Sequence, residues 1–171
     1  MPRVWISIGS NLDRERSIRG AVRALRKQYG ALVLSPVYES AAVGFEGAPF
    51  LNLVGGFDTD APVSSLTATF RTIEEAFGRM RGGEKFSPRT LDIDLLTYGN
   101  LTGEIDGYQL PRNEILRYAF VLRPLADVAS DDIHPLVQRS YRDLWANFEH
   151  RSQPMHCVQL DFGRCKGSVF I

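Results

Sequence analysis

The sequence has few cysteines and no long apolar run, and both shortages narrow the class of protein. Only two of its 171 residues are cysteine, Cys157 and Cys165, and both lie near the C-terminus. Small secreted domains usually depend on more cysteines, so we expect a reducing, cytoplasmic location. The apolar run at residues 4–8 is too short for a secretory signal, and no later run reaches the roughly 18 residues of a membrane span. We therefore expect no membrane association.

The chain also lacks an excess of either charge. Twenty Lys and Arg balance 20 Asp and Glu, so the formal net charge is zero. A dedicated nucleic-acid binder usually carries a basic excess, and we expect no nucleic-acid partner. With 44% hydrophobic and 23% charged residues, the composition is that of an ordinary globular protein. A chain of 171 residues predicts one domain, 1–171, that can bury a core without disulfides.

The hydrophobic periodicity predicts an α+β, ferredoxin-like fold with the order β-α-β-β-α-β. Apolar residues at helical spacing indicate helices within 13–30 and 62–77. The predicted strands are residues 4–8, 32–38, 51–57 and 91–98. The pair Gly55-Gly56 suggests a bulge in the third strand. This order forms an antiparallel sheet with both helices on one face.

The pattern is weaker after Gly99, and we interpret residues 130–171 as an extension of the same domain. The predicted elements there are a hairpin at 104–110 turning at Asp106-Gly107, helices at 120–128 and 141–148, and a strand around 158–162. His150, His156, Cys157 and Cys165 lie close in sequence, but their spacing matches no standard zinc site.

Two aspartates on the fourth predicted strand give the clearest functional signal. Because strand side chains alternate, Asp92 and Asp94 face the same side, about 7 Å apart at Cα, while Ile93 points into the core. Like charges at this spacing repel, and Mg²⁺ converts the repulsion into attraction by binding one or two carboxylates with substrate phosphates and water. The pair favours a magnesium–nucleotide site. For the bare motif, two incidental acids on a solvated strand face are the alternative.

A basic segment precedes the aspartates and supports the nucleotide interpretation. It carries Arg79, Arg81, Lys85 and Arg89. Such cations bind phosphate oxygens while carboxylates bind the metal, although each alone could belong to an ordinary charged loop. No G-x-x-x-x-G-K-[ST] and no G-x-G-x-x-G occurs, which excludes a Walker-type loop. Together these features predict transfer of a phosphate-containing group from ATP to a small acceptor.

Five segments in order resemble the 6-hydroxymethyl-7,8-dihydropterin pyrophosphokinase family. They are IGSNL at 8–12, YES at 38–40 followed by VG at 43–44, PFLN at 49–52, PRTLDIDLL at 88–96 followed by YGN at 98–100, and FVL at 120–122 followed by PL at 124–125. The resemblance covers residues 4–129, and it implies a ferredoxin-like core that transfers pyrophosphate from ATP to a reduced pterin and releases AMP.

The resemblance also implies roles for individual residues. Asp92 and Asp94 would hold two Mg²⁺ ions, and Arg79 and Arg89 would act with them in catalysis. The implied pterin contacts are Ser40, Val43, Phe50, Asn52 and Phe120. The implied ATP contacts are Glu74, Arg79, Arg81, Lys85, Phe86, Arg89, Arg112 and Arg117. The Gly-containing stretches 44–49 and 81–87 are predicted to close over ATP and exclude water.

Several positions depart from the family pattern. Arg112 stands where the family usually has His, and Tyr118 where it has Arg, with Arg117 one place early. Phe86 and Ser87 replace a common Trp and Gly. A divergent paralogue that binds a pterin or nucleotide without turnover is therefore a second hypothesis.

A third hypothesis is an RNA-recognition module, because that class shares the same order of elements. Such a module needs exposed aromatics on its central strands and a basic surface, and Asp92, Asp94 and the neutral net charge argue against it. We expect ATP and a reduced pterin as ligands and a monomer or homodimer as the assembly.

Overall fold

The computed structural model describes residues 1–42, 47–78 and 91–162, and all structural statements below concern these ranges. The helices are α1 (Arg14–Tyr29), α2 (Val63–Gly78), α3 (Glu114–Arg117), α4 (Ala119–Val128) and α5 (Tyr141–Ala146). The strands are β1 (Arg3–Ser10), β2 (Val33–Leu34), β3 (Val37–Ser40), β4 (Phe50–Asp58), β5 (Asp92–Tyr98), β6 (Gly103–Ile105), β7 (Tyr108–Leu110) and β8 (Met155–Val158).

The main sheet has the strand order β5-β1-β4-β3-β8, with β2 also paired to β4. Strand β1 is central and runs antiparallel to both β4 and β5. Leaving out β8, this is the four-stranded order of a β-α-β-β-α-β fold, so the predicted ferredoxin-like core is confirmed. Strand β8 comes from the C-terminal extension and pairs with the edge strand β3.

Both faces of the sheet are covered, but to different extents. On one face, α1 and α2 bury a continuous core that includes Ile6, Ile18 and Phe70. On the other face, α3, α4 and α5 form a second cluster around Trp5 and Leu122. This second layer covers only part of its face, and the uncovered part carries the cavity described below. Within the described ranges, none of the helices is both long and apolar enough to cross a bilayer.

Two details of the sheet differ from the sequence prediction. The expected strand at 32–38 is divided into β2 and β3, because Pro36 has no backbone N–H to donate and the Ser35 hydroxyl accepts from the Val54 N–H instead, at 2.8 Å. The expected bulge at Gly55-Gly56 is wrong, since β1 and β4 pair there without a shift. Gly56 instead makes room for the Trp5 indole, whose ring carbon Cζ3 would lie 2.3 Å from an added Cβ.

The hairpin predicted after Gly99 is present as β6 and β7. Its turn residues Asp106 and Gly107 have φ angles of 53° and 76°, the left-handed conformation that a two-residue hairpin turn requires. Helix α3 was not predicted, because four residues are too few to show a helical period. Helix α5 ends at Ala146, two residues earlier than expected.

Candidate active site

A cavity of about 220 Å³ opens on the sheet face opposite α1 and α2. Its floor is formed by side chains of β1, β4 and β5, and its walls by β3 and the segment that contains α3 and the start of α4. The lining residues are Ser7, Gly9, Ser40, Ala41, Phe50, Asn52, Asp92, Asp94, Leu96, Arg112, Glu114, Tyr118, Phe120 and Val121. Polar groups therefore converge on a concave surface with aromatic walls, the form typical of small-molecule sites.

The strand register brings the two aspartates next to the centre of the sheet. Asp92 is paired with Gly9, and Asp94 with Ser7. Both aspartates are partly exposed, whereas Ile93 between them is 5% exposed and belongs to the core on the other face. The alternation expected from the sequence thus places both carboxylates at the floor of one cavity.

Arg112 supplies positive charge beside these carboxylates. Its Nη2 lies 4.0 Å from Asp94 Oδ1, and its Nε and Nη2 each donate to the Glu114 carboxylate at 3.0 Å. Its guanidinium carbon also lies 5.1 Å from the centre of the Tyr108 ring. Burial alone lowers the pKa of Arg112, but the nearby Tyr108, Asp94 and Glu114 raise it above the ordinary value overall. Arg112 is therefore a fixed cation at the carboxylate end of the cavity.

Tyr108 lies beside the Arg112 guanidinium and fixes the hairpin to β5. Its hydroxyl accepts a hydrogen bond from the Leu95 backbone N–H at 3.1 Å, so the hairpin is tied to β5 next to Asp94. Burial raises the pKa of Tyr108 to about 12, with the carboxylate of Asp94 contributing and the charge of Arg112 opposing. The phenol stays protonated across the physiological range.

The opposite end of the cavity carries the residues expected to contact a pterin. Asn52 is 7% exposed, and its Nδ2 donates to the Ser40 hydroxyl at 3.2 Å. Phe50 lies two residues before Asn52 on β4 and also lines the cavity. Phe120 stacks on Tyr118, with ring centroids 5.0 Å apart and planes 16° apart. An amide and aromatic rings are thus combined as a flat heterocycle requires.

Two sequence-predicted residues lie away from the cavity lining. Glu74 is on α2, where its Oε2 accepts from the Ile93 N–H at 3.4 Å. Arg117 has its guanidinium carbon 5.5 Å from the centre of the Tyr118 ring and is exposed. Six further predicted residues, together with most of the two stretches expected to close over ATP, lie outside the described residues: Val43, Arg79, Arg81, Lys85, Phe86 and Arg89.

The sequence did not single out Ser7, Glu114 or Tyr108. Ser7 could have been found, since it follows the same alternation as Gly9 on β1 and therefore faces the cavity. Tyr108 could not, because its proximity to Arg112 depends on how the hairpin folds back on β5. Glu114 is only two residues after Arg112, but it begins the four-residue helix α3, which is too short to show a period in the sequence. In the described part of the chain, no three His, Cys, Asp or Glu side chains come close enough to share a metal ion.

Known proteins share sequence and fold with this chain. Residues 5–130 match the model of the family described as 7,8-dihydro-6-hydroxymethylpterin-pyrophosphokinase. The 2-amino-4-hydroxy-6-hydroxymethyldihydropteridine pyrophosphokinase of Pseudomonas aeruginosa is 35% identical over 133 residues, which are 75% of this chain and 82% of the relative. The enzyme of the same name from Aquifex aeolicus is 29% identical over 160 residues, 92% of this chain and 98% of the relative.

Longer proteins are also similar to this chain over part of their length. The folic acid synthesis protein fol1 of Pneumocystis carinii is 33% identical over 136 residues, 78% of this chain but only 18% of that protein. A crystal structure of wild-type Plasmodium falciparum HPPK-DHPS with STZ-DHP has a TM-score of 0.67 at 13% identity, over 85% of this chain and 43% of the other. An identity this low bears on the fold alone. From the match over residues 5–130 and the 35% identical relative, the chain belongs to the 7,8-dihydro-6-hydroxymethylpterin-pyrophosphokinase family.

Proposed function

We propose that this chain transfers pyrophosphate from ATP to the hydroxymethyl group of 6-hydroxymethyl-7,8-dihydropterin, a step of folate biosynthesis, and releases AMP. The main support is that one cavity is lined by Asp92, Asp94 and Asn52 together with the aromatic rings of Phe50 and Phe120. The carboxylates suit a metal–triphosphate, and the amide with the aromatic rings suits a pterin. Both substrates would therefore meet at the centre of the sheet.

Asp92 and Asp94 are the residues we propose to hold Mg²⁺. The donor set fits this ion, because Mg²⁺ usually takes one or two carboxylates and completes its octahedron with substrate phosphates and water. Both side chains lie on the same strand face and line the cavity. When bound, the ions would neutralise negative charge on the triphosphate. We propose two ions, as the family resemblance implies.

Arg112 is proposed to bind phosphate oxygens from the side of the cavity. Its guanidinium is already fixed by Glu114 and stands 4.0 Å from Asp94, so little side-chain freedom is lost when phosphate binds. In the sequence, Arg79 and Arg89 are further candidates for this role. Phosphoryl transfer depends mainly on alignment and electrostatics, so fixed cations and oriented substrates account for most of the rate.

The pterin is proposed to lie between Phe50 and Phe120, with its amide edge toward Asn52. Asn52 is almost fully buried and hydrogen-bonded to Ser40, so its orientation is set before the ligand arrives. The hydroxymethyl oxygen would then face the aspartates, where it forms the new bond to the β-phosphorus while the bond from that phosphorus to the AMP oxygen breaks. Its proton passes to solvent or to phosphate.

The direct test is AMP release from ATP, Mg²⁺ and 6-hydroxymethyl-7,8-dihydropterin. We expect one AMP for each pyrophosphorylated pterin, and none when either the pterin or Mg²⁺ is omitted. Tight pterin binding without AMP would instead support the non-catalytic paralogue. Absence of both pterin binding and AMP release would refute the proposal.

A further inference from the structure

We infer that Gln153, from the C-terminal extension, is a positioning residue that shapes the acceptor end of the cavity, the end lined by Ser40, Phe50, Asn52 and Phe120. This inference rests on the proposed function. Gln153 lies beyond residues 5–130, the part of the chain that matches the family model. It does not line the main cavity, so it would act through other residues.

The side chain of Gln153 joins two helix ends. Its Oε1 accepts from the Ala119 N–H at 2.9 Å, and its Nε2 donates to the Arg117 carbonyl oxygen at 3.1 Å. Arg117 is the last residue of α3 and Ala119 the first of α4. One amide therefore satisfies an acceptor and a donor that a helix terminus leaves without intrahelical partners.

The cap has to come from a distant residue because Tyr118 cannot provide it. Tyr118 occupies the N-cap position of α4 and makes no side-chain cap hydrogen bond, whereas Ser, Thr, Asp or Asn commonly cap from this position. Gln153, 34 residues after Ala119, instead accepts from the Ala119 N–H, the first of the helix. Tyr118 is thus free to direct its ring into the cavity and stack on Phe120.

The same segment also reaches the other side of the acceptor end. Two residues after Gln153, Met155 pairs with Ser40 where β8 adds to β3. Ser40 in turn accepts the hydrogen bond from Asn52. Segment 152–155 therefore connects the aromatic wall at Phe120 with the polar group at Asn52.

A smaller cavity of about 170 Å³ lies along this connection. It shares Ser40, Ala41 and Phe120 with the main cavity, and its far wall contains Gln153 and Met155. Phe120 thus has open space on the side of the extension, and the hydrogen bonds of Gln153 keep the helix that bears it from moving into that space.

The test compares Gln153→Met with Gln153→Glu. Met has a similar length but no polar atoms, so both hydrogen bonds are lost. Glu keeps an acceptor for the Ala119 N–H, but its second oxygen cannot donate to the Arg117 carbonyl oxygen and is repelled by it. Gln138→Met is the matched control, because the Gln138 side chain also donates to a backbone carbonyl, that of Pro135 at 2.7 Å, but lies outside this region.

The measurements are the Kd of 6-hydroxymethyl-7,8-dihydropterin, with a saturating non-hydrolysable ATP analogue and Mg²⁺, and the Kd of that analogue alone with Mg²⁺. We expect Gln153→Met to raise the pterin Kd about five- to tenfold and the analogue Kd by less than about twofold, from the loss of one or two net hydrogen bonds. Gln153→Glu should fall between this variant and the wild type, and Gln138→Met should match the wild type.

Equal weakening of both ligands, or a lower Tm with unchanged pterin affinity, would assign Gln153 to stability alone and overturn the inference. If Gln153→Met does not fold, Gln153→Glu decides: a selective rise in pterin Kd supports the inference, and wild-type affinity overturns it. Failure of the wild type to bind any pterin would instead refute the proposed function, and with it the acceptor that Gln153 is inferred to serve.

Discussion

The side-chain amide of Asn52 lies across the backbone of Gly9, with its Oδ1 2.6 Å from the position that a Cβ on Gly9 would take. The two residues are also paired in the sheet, and Asp92 is the partner of Gly9 on the other side. A glycine on β1 therefore allows the amide and the carboxylate to approach each other across the central strand. The proposed acceptor and metal ends of the cavity meet at this point.

Gly9→Ala is expected to weaken pterin binding by displacing Asn52. A Cβ at 2.6 Å from an oxygen forces the amide to move and disturbs its hydrogen bond to Ser40. We expect a pterin Kd at least about tenfold higher, and a loss of about 1–3 kcal/mol in the free energy of unfolding from overpacking. Titration with the reduced pterin and denaturant unfolding measure the two effects.

Gly55→Ala is the control for this prediction. An added Cβ there would meet Leu34 at 3.5 Å, which is ordinary van der Waals contact, and Gly55 does not line the cavity. This variant should bind the pterin normally. Wild-type pterin affinity in Gly9→Ala would mean that Asn52 does not contact the ligand.

Arg112→Met is expected to lower kcat/KM for ATP by about ten- to a hundredfold, because a fixed cation beside the proposed phosphate site is lost. Arg112→Lys keeps the charge but loses the planar fork that Glu114 holds, so its effect should be intermediate. Steady-state kinetics with varied ATP measure both variants.

Arg142→Met provides the matched control, since Arg142 is an exposed arginine paired with Asp131 at 2.9 Å, outside the cavity. Its kinetics should equal those of the wild type. An Arg112→Met enzyme with unchanged kcat/KM for ATP would show that Arg112 serves only to hold Glu114 and the hairpin.

The pH dependence of stability should carry a contribution from Tyr108. Its pKa is raised by burial from 10.0 to about 12 in the folded state, so the folded protein binds the proton more tightly than the unfolded chain. The stabilisation is complete below pH 10 and is lost as the pH rises toward 12. Because Tyr38 has a pKa raised to a similar value, also mainly by burial, the wild type should lose stability from both groups.

Tyr108→Phe removes one of these titrations. In denaturant unfolding at several pH values, we expect this variant to be less stable near neutral pH, where it lacks the hydrogen bond to Leu95, and to lose less stability than the wild type between pH 10 and 12. Parallel curves for the two proteins over that interval would contradict the assignment.

Much of the core fold and part of the candidate site follow from local sequence patterns. The alternation of apolar and acidic residues in β5 is sufficient to place Asp92 and Asp94 on one face, because a strand has a period of two. The order of periodic segments is sufficient for the core fold, since few topologies accommodate it.

Other relationships depend on contacts between distant segments and have no local signal. The strand predicted at 158–162 is wrong in position. The structure has β8 at Met155–Val158, where the edge of β3 offers partners, and only Val158 is common to both ranges. That pairing is what brings Gln153 to Arg117 and Ala119. The sequence likewise suggests that Gly56 belongs to a bulge. The structure shows that a glycine is needed there because the Trp5 ring packs against it.

Asp92 and Asp94 together are proposed to hold the metal that couples ATP to the acceptor. The rate of AMP release by Asp94→Asn at saturating ATP, pterin and Mg²⁺ tests this role, and circular dichroism verifies the fold of the variant. The control is Asp60→Asn, because Asp60 is an exposed aspartate outside the cavity. Asparagine has nearly the same volume but no charge, so we expect a folded protein whose rate is at least about a hundredfold lower, while the control keeps the wild-type rate. AMP release by Asp94→Asn at close to the wild-type rate would contradict the claim.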